Sequence, residues 1–184
     1  MSYRTIESWL CLMHEVVVLR LPLAFGRAHA DFTLSENGAV ATKSVDSYQA
    51  RAAASKVVMR SGRHFAQFTV VAGHSMFFGV IRPGWAVEGR VGAHHVHGHC
   101  FYATYDGSRY PGGSAWEGLQ TAKQGDRIGM LLDLDQGSMT VWKNDVQLGV
   151  MQAEGLSGPL CWGVSLYNGG NSGRIGSAAL PAHD

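Results

Sequence analysis

No run of lysines and arginines occurs anywhere in this chain. Fifteen Lys and Arg against fourteen Asp and Glu leave a net charge of +1 over 184 residues, so the basic footprint of a nucleic-acid binder is missing. Charge of either sign is scarce at 16%, while apolar residues reach 46%. That balance excludes disorder over most of the length. Cysteine is too sparse for a disulfide framework. Cys11, Cys100 and Cys161 are widely spaced and odd in number, and they read as reduced thiols of an intracellular, cytoplasmic protein. The lack of an Asn-x-Ser/Thr acceptor agrees with that reading. Gly-x-Ser-x-Gly elbows, P-loops, dinucleotide fingerprints and solenoid-length repeats are likewise missing. The apolar run from Val16 to Phe25 is interrupted by Arg20 and Pro22 and is too short to cross a bilayer, so no membrane partner is expected.

What is present is glycine and alternation. The 24 glycines are scattered rather than periodic, as many turns between short strands require. The length suits one domain with a full core. Ile6, Trp9, Leu10, Met13, Val16 and Val17 recur at helical spacing ahead of Pro22, which predicts a short helical or linking segment over residues 1–27. The clearest strands lie in the second half. Ile128, Met130, Leu132 and Leu134 alternate with Gly129, Leu131, Asp133 and Asp135, the period of a half-buried strand. Asp135-Gln136-Gly137 can reverse the chain into Met139–Trp142, and Asn144-Asp145 offers a second turn before Val146–Met151. Earlier, Phe32–Leu34 and Val40–Thr42 flank an Asn37-Gly38 turn, and Phe68 and Val70 alternate with Gln67 and Thr69. Met76–Ile81 is continuously apolar, as a strand covered on both faces would be. Cys100–Tyr105 reads as a strand closed by Asp106-Gly107, and Leu160–Leu166 and Arg174–Ala178 supply the last strands. The small residues Ala50–Ser55 suit a helical turn or a loop. Together these signals predict an antiparallel sandwich.

The ordered motifs resemble the SPRY domain family over residues 28–181. They run Ser61-Gly62-Arg63-His64-Phe65, Phe78-Gly79-Val80, Asp106-Gly107 with Tyr110, and Gly125-Asp126-Arg127-Ile128-Gly129. Leu132-Asp133, Trp142-Lys143-Asn144, Leu148-Gly149, Gly158-Pro159-Leu160 and Val164-Ser165 follow. One departure is Gln67, where the family usually carries glutamate. The resemblance implies an all-β, concanavalin-like bent sandwich of two antiparallel sheets, acting as a monomeric, non-catalytic module. Its partner would be a protein or peptide bound through loops at one end, in the manner of an adaptor or substrate-recognition unit. The loops that the resemblance points to contain Lys43, Val45 and Ser47, then Arg82 and Trp85, then Tyr167, Asn168 and Gly169. The family's peptide binders carry tryptophan where this chain has Asn168. Trp85, Tyr102 and Tyr167 are candidate anchors because aromatic rings bury much area at little entropy cost. Lys43, Trp85 and Tyr167 are expected to be dispensable for folding. A carbohydrate-binding sandwich is the alternative reading.

Other chemistry is weaker. An extended His94–His99 run would put His95, His97 and His99 on one face, as three imidazoles for zinc. That spacing is unlike the usual separated ligand pairs, and no carboxylate lies within the run. Asp133, Asp135 and Gly137 lack the later ligands of a calcium loop. Cys100 beside His99 would point to the opposite face of a strand, which argues against a nucleophile–base pair. Neither metal nor cofactor nor catalysis is expected.

Overall fold

The computed structural model describes residues 22–152 and 154–181. Residues 1–21 of the helical or linking segment expected over residues 1–27, Cys11 among them, lie outside the described residues. Thirteen strands form two sheets in which every neighbouring pair is antiparallel. One sheet has the order β1 (Phe25–Ala28), β4 (Arg51–Ser55), β12 (Cys161–Leu166), β6 (Met76–Ile81), β7 (Cys100–Ala103), β8 (Arg109–Tyr110). The other runs β11 (Val146–Gln152), β10 (Ser138–Lys143), β9 (Arg127–Asp133), β5 (Arg63–Ala72), β13 (Ser172–Gly176), β3 (Val40–Lys43), β2 (Phe32–Ser35). The first strand, β1, falls mostly within the stretch expected to be a linking segment.

Local chemistry explains the turns. Asp133 Oδ1 accepts the backbone N–H groups of Asp135 and Gln136, each at 3.0 Å, and Gly137 takes φ 73°. The β9–β10 hairpin therefore closes where the sequence places it. Asn144 and Asp145 both lie at positive φ, 51° and 71°, and reverse the chain into β11. Buried Asp126 sits just before β9 and accepts from the Lys123 backbone N–H at 2.9 Å and from Asn144 Nδ2 at 2.8 Å. Lys143 Nζ lies 3.3 Å away. Burial opposes the carboxylate charge, but the bonds from Asn144, Lys123 and Lys143 outweigh it and hold Asp126 below its usual range.

Between the sheets, Phe68 of β5 stacks on Phe78 of β6 with centroids 5.0 Å apart, and meets Trp162 of β12 edge-on at 6.0 Å. The six-stranded sheet also carries apolar side chains on its outer face, where Ala52, Ala54, Phe77, Ile81, Phe101 and Cys161 form a second buried layer. The segment 82–99 contributes Trp85, Val87 and Ala93 to that layer. This double burial is why β6 is apolar throughout. It also corrects the expectation for Ala50–Ser55. Residues 51–55 are β4, flanked by β1 and β12, with Ala52 and Ala54 on the outer layer and Ala53 in the inter-sheet core. Alanine fits there because packed surfaces approach from both sides, so local helix propensity is overridden.

Phe68→Ala should cost about 3–5 kcal/mol. Urea unfolding should show a lower midpoint with an unchanged slope.

Candidate functional site

The six-stranded sheet has two distinct ends. At one, Met76 pairs with Leu166 and Leu166 with Arg51; at the other, Ile81 pairs with Cys161. The ends are separated by the length of β6, roughly 17 Å for six residues. The connections 44–50, 73–75, 104–108 and 167–171 gather at the first end.

That end is organised by Lys43, the last residue of β3. Its side chain is 0% exposed. The Nζ donates to the carbonyl oxygens of Ser47 and Gln49, each at 2.8 Å, to Ser47 Oγ at 2.9 Å, and to the carbonyl oxygen of Tyr167. Three N–H bonds are thus shared among four acceptors. Burial lowers the Lys43 pKa, and nearby Arg51 acts in the same direction, against the pull of Asp31 and Asp46. The backbone adds two bonds: Lys43 N–H donates to the Asn171 carbonyl at 3.0 Å and Gly170 N–H to the Lys43 carbonyl at 2.8 Å. Gly169 packs against the Asp46 backbone so closely that a Cβ would lie 2.8 Å from Asp46 Cα. Lys43 and the backbone around it thus join two loops distant in sequence.

Beside this junction a cavity of about 290 Å³ opens, lined by rings from five segments and by Ser75. Phe77 comes from β6, Tyr110 from β8, and Tyr105 and Tyr167 from the connections after β7 and β12. His94 and His95 come from a 3-10 turn, Ala93–His95, in the covering segment. His94 lies parallel on Phe77 with centroids 3.8 Å apart. Tyr105 and Tyr110 stand nearly perpendicular to Phe77, at 83° and 79°. Tyr167 is tilted 51° from His94 at 6.0 Å. The hydroxyls of Tyr105 and Tyr110 hydrogen-bond to each other at 2.6 Å. The glycine before the turn is required, since a Cβ on Gly92 would lie 2.6 Å from the His94 ring and 3.0 Å from Ala50. Burial, with a smaller contribution from His95, pushes the His94 pKa down to about 3, and Nδ1 is 3.1 Å from Ser165 Oγ.

The structure divides the residues expected at the site. Tyr167 lines the cavity, and Asn168 and Gly169 follow it in the same connection. Val45, 46% exposed, and half-buried Ser47 lie in the adjoining loop. Lys43 and Tyr102 are corrections: both are 0% exposed. Lys43 is spent on internal acceptors, while Tyr102 faces the inter-sheet core with its hydroxyl donating to the Gln120 carbonyl. Arg82 and Trp85 belong to the opposite end. Arg82 Nη1 donates to the Ser157 carbonyl at 2.5 Å, and half-buried Trp85 packs edge-on against His99 at 5.6 Å. Sequence reasoning missed Tyr105, 40% exposed, and Tyr48, 88% exposed. Position beside turn residues was the one available signal for Tyr105.

The histidine run is not extended. His94 and His99 are buried while His95 and His97 are exposed, and among the described residues no three His, Cys, Asp or Glu side chains converge. His99 Nδ1 donates to the Ala93 carbonyl at 2.8 Å, and burial lowers its pKa. Cys100 faces the inter-sheet core and Cys161 the outer layer of the same sheet. They cannot pair across it.

No protein-family model and no curated protein sequence matches the chain. Solved structures match its fold. The SPRY domain of human HERC1 superposes with a TM-score of 0.68 at 22% identity, covering 83% of this chain and 97% of its own. The PSpry domain of TRIM65 gives 0.66 at 16% identity, covering 89% and 90%. A human SPRY domain gives 0.59 at 16%, covering 84% and 98%. The two-sheet sandwich is therefore SPRY-type, as the motif order implied.

Lys43→Met keeps the side chain's length but strands several buried carbonyls, and should lower stability by roughly 3 kcal/mol or more. Tyr48→Ala should stay within about 0.5 kcal/mol. Chemical denaturation measures both. The expectation that Lys43 is dispensable for folding is thereby reversed. His94 and His99 have folded pKa values below their unfolded ones, so the unfolded chain takes up protons that the fold refuses. Stability should fall as pH drops from about 6.5 toward 3, with a slope approaching ~1.4 kcal/mol per pH unit from His94 and a further contribution of the same sign from His99. Denaturation midpoints across that range should show a shallower slope for His94→Gln.

Proposed function

We propose that this SPRY-type sandwich is a non-catalytic protein-interaction module, an adaptor or recognition unit that receives a segment of a partner protein at the ring-lined cavity. The observation that carries the reading is the convergence of rings from five chain segments around an open cavity of about 290 Å³. A cavity of that size suits a side chain rather than a whole cofactor. The loops beside it are held by the Lys43 bonds, so little order has to be gained on binding. Tyr48 and Val45 are exposed on the connection that Lys43 ties to the Tyr167 loop. Tyrosine is among the residues that most often dominate binding energy at interfaces.

The site's chemistry supports recognition over catalysis. Burial pushes the Cys100 thiol up to about 12 and raises Cys161 as well, so neither offers a thiolate near neutral pH. His94 is held neutral by burial between Phe77 and Ser165, a poor setting for a general base. An intracellular, monomeric state belongs to the same reading, supported by two buried thiols that need no partner.

A displayed peptide library tests the proposal. Wild-type protein should enrich a shared motif, and the Tyr48→Ala/Tyr167→Ala double variant should lose it with its thermal melt nearly unchanged. The Tyr167 carbonyl that serves Lys43 survives that substitution. Trp85→Ala, at the far end, should retain the motif. Enrichment by the double variant would place binding elsewhere.

A further inference from the structure

We propose that the cavity takes a trimethylated ammonium group, presented as a trimethyllysine side chain of the partner protein. This deepens the recognition reading and rests on it. The argument begins with the walls. His94 covers a face of Phe77 and both rings are buried, Tyr105 and Tyr110 stand nearly perpendicular to Phe77, and Tyr167 is tilted 51° from His94, so the three partly exposed tyrosine rings are the ones a guest can reach. Ring faces carry negative electrostatic potential and attract a cation placed over them, most strongly once it has left water.

Charge around the cavity agrees. No carboxylate lines it, yet Asp106 follows Tyr105 directly and acts on its hydroxyl electrostatically. The Lys43 ammonium at the adjoining junction is saturated by four internal acceptors, with Asp31 and Asp46 favouring its charge and Arg51 opposing it. Burial keeps His94 neutral, so it adds no opposing charge.

The type of cation follows from hydrogen bonding. An unmodified lysine or an arginine brings N–H donors that must find acceptors on leaving water. Here the Tyr105 and Tyr110 hydroxyls already bond to each other, and besides the histidines the remaining polar side chains in the lining are the single hydroxyls of Ser75 and Tyr167, too few for the three N–H groups of a lysine ammonium or the five of a guanidinium. A quaternary ammonium has no N–H group and incurs no such cost. Its charge is spread over methyl groups that contact ring faces directly.

The experiment is calorimetric titration of the full chain at pH 8 with four probes. They are N-acetyl-trimethyllysine amide within a short peptide, the same peptide with unmodified lysine, its neutral isostere with carbon replacing the ammonium nitrogen, and free tetramethylammonium. The trimethylated peptide should bind at least tenfold more tightly than the lysine peptide and the neutral isostere. Tyr105→Leu and Tyr167→Leu should each abolish that preference, whereas Tyr167→Phe, which keeps the ring, should keep it. Equal binding of the neutral isostere would overturn the cation and leave an apolar pocket, with the recognition reading intact. Tetramethylammonium binding as tightly as the trimethylated peptide would overturn the peptide source in favour of a small molecule or a choline headgroup. No probe binding while the displayed library still enriches a motif would overturn the inference alone. No probe binding and no enrichment would overturn both.

Discussion

One buried ammonium holds the loop end of this sandwich together. Lys43 lies where β3 ends, and its four acceptors belong to two connections separated by more than a hundred residues in sequence. An unpaired ammonium could not remain there, because removing it from water costs far more than a single contact returns. Each backbone carbonyl it satisfies would itself be costly to leave bare. The loops and the lysine are therefore mutually dependent. Through Tyr167, whose carbonyl accepts from Lys43 and whose ring lines the cavity, that dependence reaches the cavity.

The second constraint is the covering of the six-stranded sheet on its outer face. Residues 82–99 leave that sheet at its Ile81 end, reach the cavity with the Ala93–His95 turn and return to Cys100 beside Val80, adding Trp85 at the far end. Covering this face makes a second apolar layer and brings two histidines inside. Both are accommodated in neutral form, His99 through the Ala93 carbonyl and His94 through Ser165 and the Phe77 ring. The segment thus contributes to the second apolar layer and to the cavity at once, and burial holds the pKa values of its inward histidines below their usual range.

Legibility in the sequence followed the range of the interaction. The β9–β10–β11 meander was readable because alternation and turn chemistry are local, and the structure places those strands and turns as expected. Ala50–Ser55 was misread because alanine's intrinsic preference is weak beside burial on two faces. Lys43 was misread because exposure is the rule for lysine, and nothing within ten residues of it announces acceptors supplied by Tyr167. Tyr102 followed the same logic in reverse: an aromatic in an alternating strand could face either way, and it faces the inter-sheet core.

The sequence by itself determined the all-β class, the turns, the order of the motifs and the lack of a basic or disulfide-based design. These depend on neighbours along the chain, through pleat periodicity, positive-φ residues and net charge. Only the tertiary structure decided that Tyr105, Tyr110, Tyr167, Phe77 and His94 share one cavity, and that Arg82 and Trp85 stand at the other end of the sheet. The physical reason is register. Once Met76 pairs with Leu166 and Ile81 with Cys161, residues adjacent in a list of candidates are carried to opposite ends of the sheet, and distant rings meet.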